Sequence, residues 1–251
     1  MNFAIISAGE GSRLAQEGVA KPKPLVELNG EAMIERLIRI FMRQGADRVV
    51  VIINDLVPET RDFLIRLKED LPIELVVKTT PSSMHSFFEI SHLLEGDRFC
   101  LTTVDTIFHE EEFARYIEAF RASEADGLMA VTDYVDDEKP LYISTDEELR
   151  ITGFHDEAPA GGKYISGGIY CLTPLALKTL QRCMDEGRSR MRNFQRQLVA
   201  DGLCLKAWPF SKIVDVDHAE DIAKAEEFLS PSEAPSNSPE GGESKAVVSG
   251  E

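Results

Sequence analysis

The chain is poor in the features that mark several protein classes. Its four cysteines, Cys100, Cys171, Cys183 and Cys204, stand far apart in 251 residues, with no CxxC pair and no histidine at zinc-ligand spacing. Free thiols are expected, with neither a disulfide framework nor a structural metal. The longest unbroken apolar run is Val49 to Ile53, far too short to cross a bilayer, and no charged-then-apolar leader is expected ahead of the first strand. The cytoplasm is therefore the expected compartment and a membrane partner is not. Basic residues are scarce as well: 27 Lys and Arg stand against 44 Asp and Glu, a formal net charge of −17. Nucleic acid would be repelled except at a local basic site, and the same balance leaves room for an isolated nucleotide. The P-loop pattern GxxxxGK[ST] is absent, and no internal repeat is visible.

What is present concentrates near the amino terminus. Phe3 to Ser7 reads as a buried strand, and Gly9 and Gly11 follow at a sharp turn where a side chain would block close approach of backbone to ligand. Arg13 comes next, then Lys21 and Lys23, each followed by a proline (Pro22, Pro24) that keeps the lysines on extended backbone. A glycine-lined, locally cationic loop at a strand end suits an anionic phosphate chain. The dinucleotide fingerprint GxGxxG fits less well, because Leu14 occupies its third glycine position and the prolines interrupt the helix that should begin at once. A tight turn with solvated charges explains the glycines but not the three cations together.

Hydrophobic content of 43% and charged content of 28% are ordinary for a soluble globular chain of this length. Helical spacing at Glu31–Gln44, Thr60–Lys68, Ser86–Leu94 and Glu111–Phe120 alternates with apolar runs at Val49–Ile53, Ile73–Val77, Phe99–Val104 and Leu128–Val131. The alternation predicts a three-layer αβα arrangement, Rossmann-like, whose mainly parallel sheet collects ligands at the carboxyl ends of its strands. Beyond Asp133 the rhythm shortens to strands at Leu141–Ser144, Leu149–Phe154 and Tyr164–Leu172, a small antiparallel insertion expected to recognise an acceptor. Helices at Pro174–Asp185, Met191–Ala200 and Ala219–Leu229 and strands at Leu203–Trp208 and Ile213–Asp217 complete a domain over 1–229. Residues 230–251, dominated by Ser, Pro, Gly and Glu, predict a disordered low-complexity tail.

Ser7 to Leu14 and Lys23 to Leu25 resemble the signature of the sugar-nucleotide-forming nucleotidyltransferases, roughly LAAGxGxRL followed by PKPL. Weaker resemblances follow in the family's order at Leu101–Asp105, Gly168–Tyr170 and Asp215–Ile222. The resemblance implies transfer of a nucleoside monophosphate from a nucleoside triphosphate to a sugar 1-phosphate, giving a nucleoside-diphosphate sugar and pyrophosphate, with Mg²⁺ required. It places Ala8, Gly9, Gly11, Ser12 and Arg13 around the triphosphate. Arg13 would hold the leaving pyrophosphate as a planar fork, and Lys23 would bridge the attacking and attacked phosphates. For Lys21, assistance and mere solvation stand equally. Asp105 and Asp215 are the implied Mg²⁺ ligands; Asp217 is the alternative to Asp215, standing where the family pattern has glycine. The base is expected near Thr79 to Ser86, with Ser82 and Ser83 as hydrogen-bonding candidates, while His85 reads as a surface or capping residue. Lys163, Gly167 and Gly168 would take the sugar phosphate, and Ser166 stands where family members often have asparagine. Two other readings remain: the same transfer to a phosphorylated alcohol such as a choline or polyol phosphate, and a nucleotide-binding regulatory protein without turnover.

Overall fold

The computed structural model describes residues 1–136 and 138–230. Along the chain come β1 (Asn2–Ser7), α1 (Ser12–Gln16), a 3-10 turn at Lys23–Leu25, β2 (Glu27–Leu28), β3 (Glu31–Ala32), α2 (Met33–Arg43), β4 (Val49–Ile53) and α3 (Pro58–Leu67). Then follow β5 (Ile73–Val77), α4 (Ser83–Ile90), β6 (Phe99–Thr103), β7 (Thr106–Ile107), α5 (Glu110–Ala122) and β8 (Gly127–Thr132). The remainder is β9 (Tyr142–Thr145), β10 (Ile151–His155), β11 (Tyr164–Leu172), α6 (Leu175–Asp185), α7 (Met191–Ala200), β12 (Leu205–Pro209), β13 (Val214–Asp215) and α8 (Ala219–Leu229).

Consecutive apolar residues in β1 and β4 require cover on both faces, since a pleated strand sends neighbours to opposite sides. Phe3, Ile5, Val49, Val51 and Ile53 enter one hydrophobic cluster with residues of α2 and α5, and with Leu64 of α3 and Ala225 of α8. Ala4, Ile6, Val50 and Ile52 enter a second cluster with α4, α6 and α7. The result is the expected three-layer αβα arrangement. In α5, Phe113, Tyr116, Ile117 and Phe120 recur at helical spacing and are all fully buried, each apolar ring or branch contributing about 2 kcal/mol by leaving water.

Strands β5, β4, β1 and β6 pair in parallel, so their carboxyl ends share one edge. β11 runs antiparallel to β6, β8 and β9 and joins the parallel core to the pairs β8–β12 and β9–β10. The nine-residue β11 changes neighbours midway, and its register against β8 shifts between Ser166 and Tyr170. Glycine is required there: a Cβ on Gly167 would lie 2.3 Å from Ile213, and Gly168 has φ of +74°. Tyr116 fastens the same junction from below, its hydroxyl donating to the Leu128 carbonyl at 2.5 Å and accepting from the Cys171 N–H at 2.9 Å.

Three local expectations are corrected. A helix does begin straight after Gly11, but it lasts only five residues, because the chain must turn back toward Lys23. Lys23 is not on extended backbone; Pro22 is extended, and Lys23 to Leu25 then form one 3-10 turn. The strand expected over Ile213–Asp217 is confined to Val214 and Asp215. Apart from Ser230, the carboxyl-terminal segment read as a tail lies outside the described residues. Among those residues no helix is long and apolar enough to cross a membrane.

Candidate active site

The carboxyl ends of β1, β4 and β6 deliver three segments to one place: the loop Ala8–Gly11, Asn54, and Val104–Asp105. Asn54 is buried and donates from Nδ2 to the Gly9 carbonyl at 2.9 Å, fixing the loop to the end of β4. Gly11 caps α1 with φ of +62°, and a Cβ there would lie 2.9 Å from the Lys23 Cβ. The second glycine is thus demanded by backbone conformation and by the closeness of Lys23. Gly9 differs, since a Cβ there would meet nothing within 4 Å.

Lys23 is the hub. Its Nζ lies 2.6 Å from Asp105 and 2.6 Å from Asp217, and Asp217 also receives Arg13 at 3.3 Å. The short antiparallel pair β7–β13 brings the late segment here, and the Val216 N–H donates to the Asp105 carbonyl at 3.1 Å. Burial alone would weaken the Lys23 ammonium's hold on its proton, but the charges of Asp105 and Asp217 prevail and raise its pKa. Burial likewise pushes the Asp105 carboxyl up, and the neighbouring Lys23 more than offsets it, so Asp105 is held below its ordinary value and stays ionised.

Among the described residues no three His, Cys, Asp or Glu gather at metal-ligand spacing. The two carboxylates on Lys23 nevertheless fit Mg²⁺, which takes few protein ligands and completes its shell with phosphate oxygens and water. Asp105 Oδ1 is buried without a hydrogen-bond partner, an oxygen the fold itself does not use. Asp215 lies two residues before Asp217 and does not line the glycine-loop cavity that Asp217 lines.

Two cavities meet at Arg13 and Asp217. The first, about 500 Å³, is lined by Ala8, Gly9, Gly11, Ser12, Arg13, Lys23, Asp105, Asp217 and the segment Thr79–Ser83 with Ser86. Ser82 and Ser83 therefore share a cavity with the glycine loop. Ser82 makes no side-chain cap to α4; its hydroxyl pairs with His85 Nδ1 at 2.8 Å. The second cavity, about 890 Å³, holds Ser166, Gly167 and Asp215 and is strongly acidic: Glu17, Asp136, Glu138, Asp217, Glu220 and Asp221 also line it, against Arg13, Lys224 and His218. Gly168 stands behind Gly167, with Thr106 Oγ1 3.1 Å from where its Cβ would be. Lys163 is not brought to the site; it is exposed, with Nζ 4.6 Å from the Tyr164 ring centre. Lys21 is turned from the first cavity and pairs with Glu27 at 2.5 Å.

Several residues of the site escaped the sequence reading. Glu17, at the carboxyl-terminal cap of α1, accepts from His218 Nδ1 and from the Ala219 N–H, both at 2.6 Å, clamping the glycine loop's helix to the start of α8. That backbone bond, then His218, lowers the Glu17 pKa, and the hydrogen bond to Glu17 raises that of His218. Gln195 of α7, buried, accepts from the Ser166 hydroxyl at 3.0 Å. Only Asn54 carried a signal, a polar residue directly after the all-apolar β4, as Asp105 closely follows β6.

Residues 3–199 match the model of the MobA-like NTP transferase domain. Among curated proteins, the 2-aminoethylphosphonate cytidylyltransferase of Lancefieldella rimae is 27% identical over 114 residues, 44% of this chain and 45% of that protein. The mannose-1-phosphate guanylyltransferase catalytic subunit beta of Dictyostelium discoideum is 25% identical over 187 residues, 72% of this chain and 52% of that protein. The chain spans about half the length of these relatives. Among solved structures, the inositol-1-phosphate CTP transferase from T. maritima superposes with a TM-score of 0.73 at 18% identity, covering 92% of this chain and 98% of that one. The CTP:phosphocholine cytidylyltransferase from Streptococcus pneumoniae gives 0.73 at 18%, covering 91% and 99%. These likenesses establish the fold, a Rossmann-like α/β arrangement with a largely parallel sheet.

Proposed function

The chain belongs to the MobA-like NTP transferase domain family, and on that premise we propose that it transfers a nucleoside monophosphate from a nucleoside triphosphate to a phosphorylated small molecule, releasing pyrophosphate. The observation that carries the reading is the convergence of Arg13, Lys23, Asp105 and Asp217 at the mouth of the glycine-loop cavity. An acceptor phosphate oxygen attacks the α-phosphorus while the bond to the pyrophosphate oxygen breaks in line. Anions must be brought together, so the protein's contribution is neutralisation and alignment. Gly9, whose missing side chain no protein atom requires, opens the loop backbone to the triphosphate. Arg13, at the junction of the cavities, takes the departing pyrophosphate, and Lys23 neutralises the phosphate under attack. Asp105 and Asp217 would hold a Mg²⁺ ion, which when bound supplies charge to the phosphate oxygens.

For the acceptor, the lining of the second cavity favours a phosphorylated or phosphonylated alcohol or amine carrying a positive charge. Carboxylates outnumber cations there, and an ammonium group would be stabilised where a neutral sugar would not. Similarity to a 2-aminoethylphosphonate cytidylyltransferase supports this reading. The sugar 1-phosphate expected from the sequence is the second reading, supported by similarity to a mannose-1-phosphate guanylyltransferase over 72% of the chain. Each ribonucleoside triphosphate is to be paired with phosphocholine, 2-aminoethylphosphonate, inositol 1-phosphate, glucose 1-phosphate and mannose 1-phosphate, reading pyrophosphate release with Mg²⁺. Amine-bearing acceptors should exceed the neutral ones by about tenfold, one ion pair's worth; sugar 1-phosphates turning over faster would reverse the choice, and no release with any pair would reject the transferase reading.

A further inference from the structure

A third cavity, about 210 Å³, lies under the glycine loop, on the α3 side of the sheet. Ser7, Gly9, Gly11, Lys21, Asn54 and Thr60 are among its walls. The loop therefore separates this cavity from the one assigned to the triphosphate, sharing Ser7, Gly9 and Gly11 with both. Two hydroxyls here have no hydrogen-bond partner among protein atoms: Ser7 Oγ and Thr60 Oγ1, on residues 5% and 3% exposed. Strand parity places the Ser7 side chain with Phe3 and Ile5, on the face of the sheet where α3 packs and Thr60 sits.

Of the charged walls, Glu10 is exposed to solvent and the two lysines are already matched. Lys21 pairs with Glu27 and Lys23 with Asp105 and Asp217, so the orphaned groups are neutral donors and acceptors. The Asn54 carboxamide is likewise occupied, donating to the Gly9 carbonyl at 2.9 Å and accepting from the Leu56 N–H at 3.1 Å. A small neutral species that both donates and accepts is what two buried hydroxyls at such a void require, and water meets that description.

We infer that ordered water fills this cavity and links the Ser7 and Thr60 hydroxyls to the underside of the glycine loop, making both of them positioning residues for triphosphate binding. The inference rests on the reading that the loop's other side takes the triphosphate. Asn54 braces the loop directly, and the water-linked hydroxyls brace it beside Asn54. Neither hydroxyl touches the reacting atoms, so their loss relaxes the loop without changing the groups that stabilise transfer.

The test uses the full chain with Ser7→Ala, Thr60→Val, the double variant, and Thr60→Ser as the variant that keeps the hydroxyl. Calorimetry gives the Kd for the preferred triphosphate, and pyrophosphate release gives KM for each substrate and kcat. Each single removal should weaken triphosphate binding about tenfold, equal to about 1.4 kcal/mol or one hydrogen bond. KM for the acceptor and kcat should stay within about twofold, and Thr60→Ser should bind like the parent. Because one water network serves both hydroxyls, the double variant should lose little more than either single. Parent-like binding by Thr60→Val and Ser7→Ala, a loss shared equally by the acceptor, or strictly additive losses would overturn the inference. A parent chain that binds no triphosphate at all would instead remove the reading beneath it.

Discussion

Replacing Lys23 by methionine keeps the length of the side chain and deletes its charge, which isolates what the ammonium does. Its Nζ lies 2.6 Å from Asp105 and from Asp217, and the Lys23 and Asp105 side chains are only 14% and 20% exposed. Removing one partner of such a buried pair costs about 3 kcal/mol, mostly on the Asp105 side, because Asp217 is 44% exposed and screened by water. Turnover should fall further than stability. A cation fixed against a transferring phosphate is worth about 10³ in rate, or about 4 kcal/mol of transition-state energy. The pH dependence carries the sign. In the parent, Asp105 titrates below its ordinary value, so its contribution is present above that ordinary value and is lost as pH falls through the depressed one. Without Lys23, burial, the largest influence on it, is opposed only by hydrogen bonds from Thr103 and the backbone, so its pKa rises from the parent's and the charged form becomes costlier at neutral pH. Urea unfolding of parent and Lys23→Met should therefore differ most at pH 8, narrow toward pH 4 as Asp105 of the variant takes up its proton, and converge only below the parent's depressed value, with pyrophosphate release measured in parallel. A stability gap that widens on acidification, or turnover within about tenfold of the parent, would refute the assigned role.

The two loop glycines should separate under the same substitution. Gly11→Ala combines positive φ with a Cβ 2.9 Å from Lys23 and should lower stability by about 2 kcal/mol along with activity; Gly9→Ala meets no protein atom, so its melting temperature should hold while the triphosphate KM rises. Chelation with EDTA should abolish pyrophosphate release and added Mg²⁺ restore it, and Asp105→Asn should raise the Mg²⁺ concentration needed for half-maximal rate by about tenfold or more. Because the Glu17 hydrogen bond raises the His218 pKa above 6.5, the contact's contribution is complete below that value and fades as pH rises through the raised one. The melting-temperature gap between parent and Glu17→Gln should accordingly be largest near pH 6 and shrink toward pH 9; a gap independent of pH would separate His218 from Glu17.

How far the site could be read in advance follows the range of the interactions that build it. Gly9, Gly11, Arg13 and Lys23 lie within one local stretch, where spacing and residue type already express the need for close approach and positive charge. The central strands were legible for a similar reason: unbroken apolar runs such as Val49–Ile53 have one economical solution, cover on both faces. Contacts between distant segments were not legible. Nothing in the local sequence around Glu17 indicates that it accepts from His218 and Ala219, 201 and 202 residues away. The orphaned hydroxyls of Ser7 and Thr60 look like any strand-end serine or helical threonine until the sheet and α3 are assembled. Lys163 has the right charge and neighbouring glycines, yet it stands just before β11, outside the lining of both cavities, with its ammonium over the Tyr164 ring.

The pair Asp215 and Asp217 shows what decided such cases. In an extended segment, residues two apart face the same side, so periodicity treats the two aspartates alike. The chain breaks that equivalence by ending β13 at Asp215, paired with Thr106, before α8 begins at Ala219. Asp221, in the first turn of α8, accepts from the Asp217 and His218 N–H groups through Oδ2 at 3.2 and 2.8 Å. These bonds bend the chain at Asp217, and its side chain meets Lys23 and Arg13 while Asp215 faces the acidic cavity. The helix cap is therefore also the device that decides which carboxylate meets Lys23. Asp221→Ala should impair turnover with Lys23, Asp105 and Asp217 all intact, and should raise the Mg²⁺ requirement as Asp105→Asn does. An Asp221→Ala chain that loses only thermal stability, with its Mg²⁺ dependence unchanged, would show that Asp217 finds Lys23 without help from the cap.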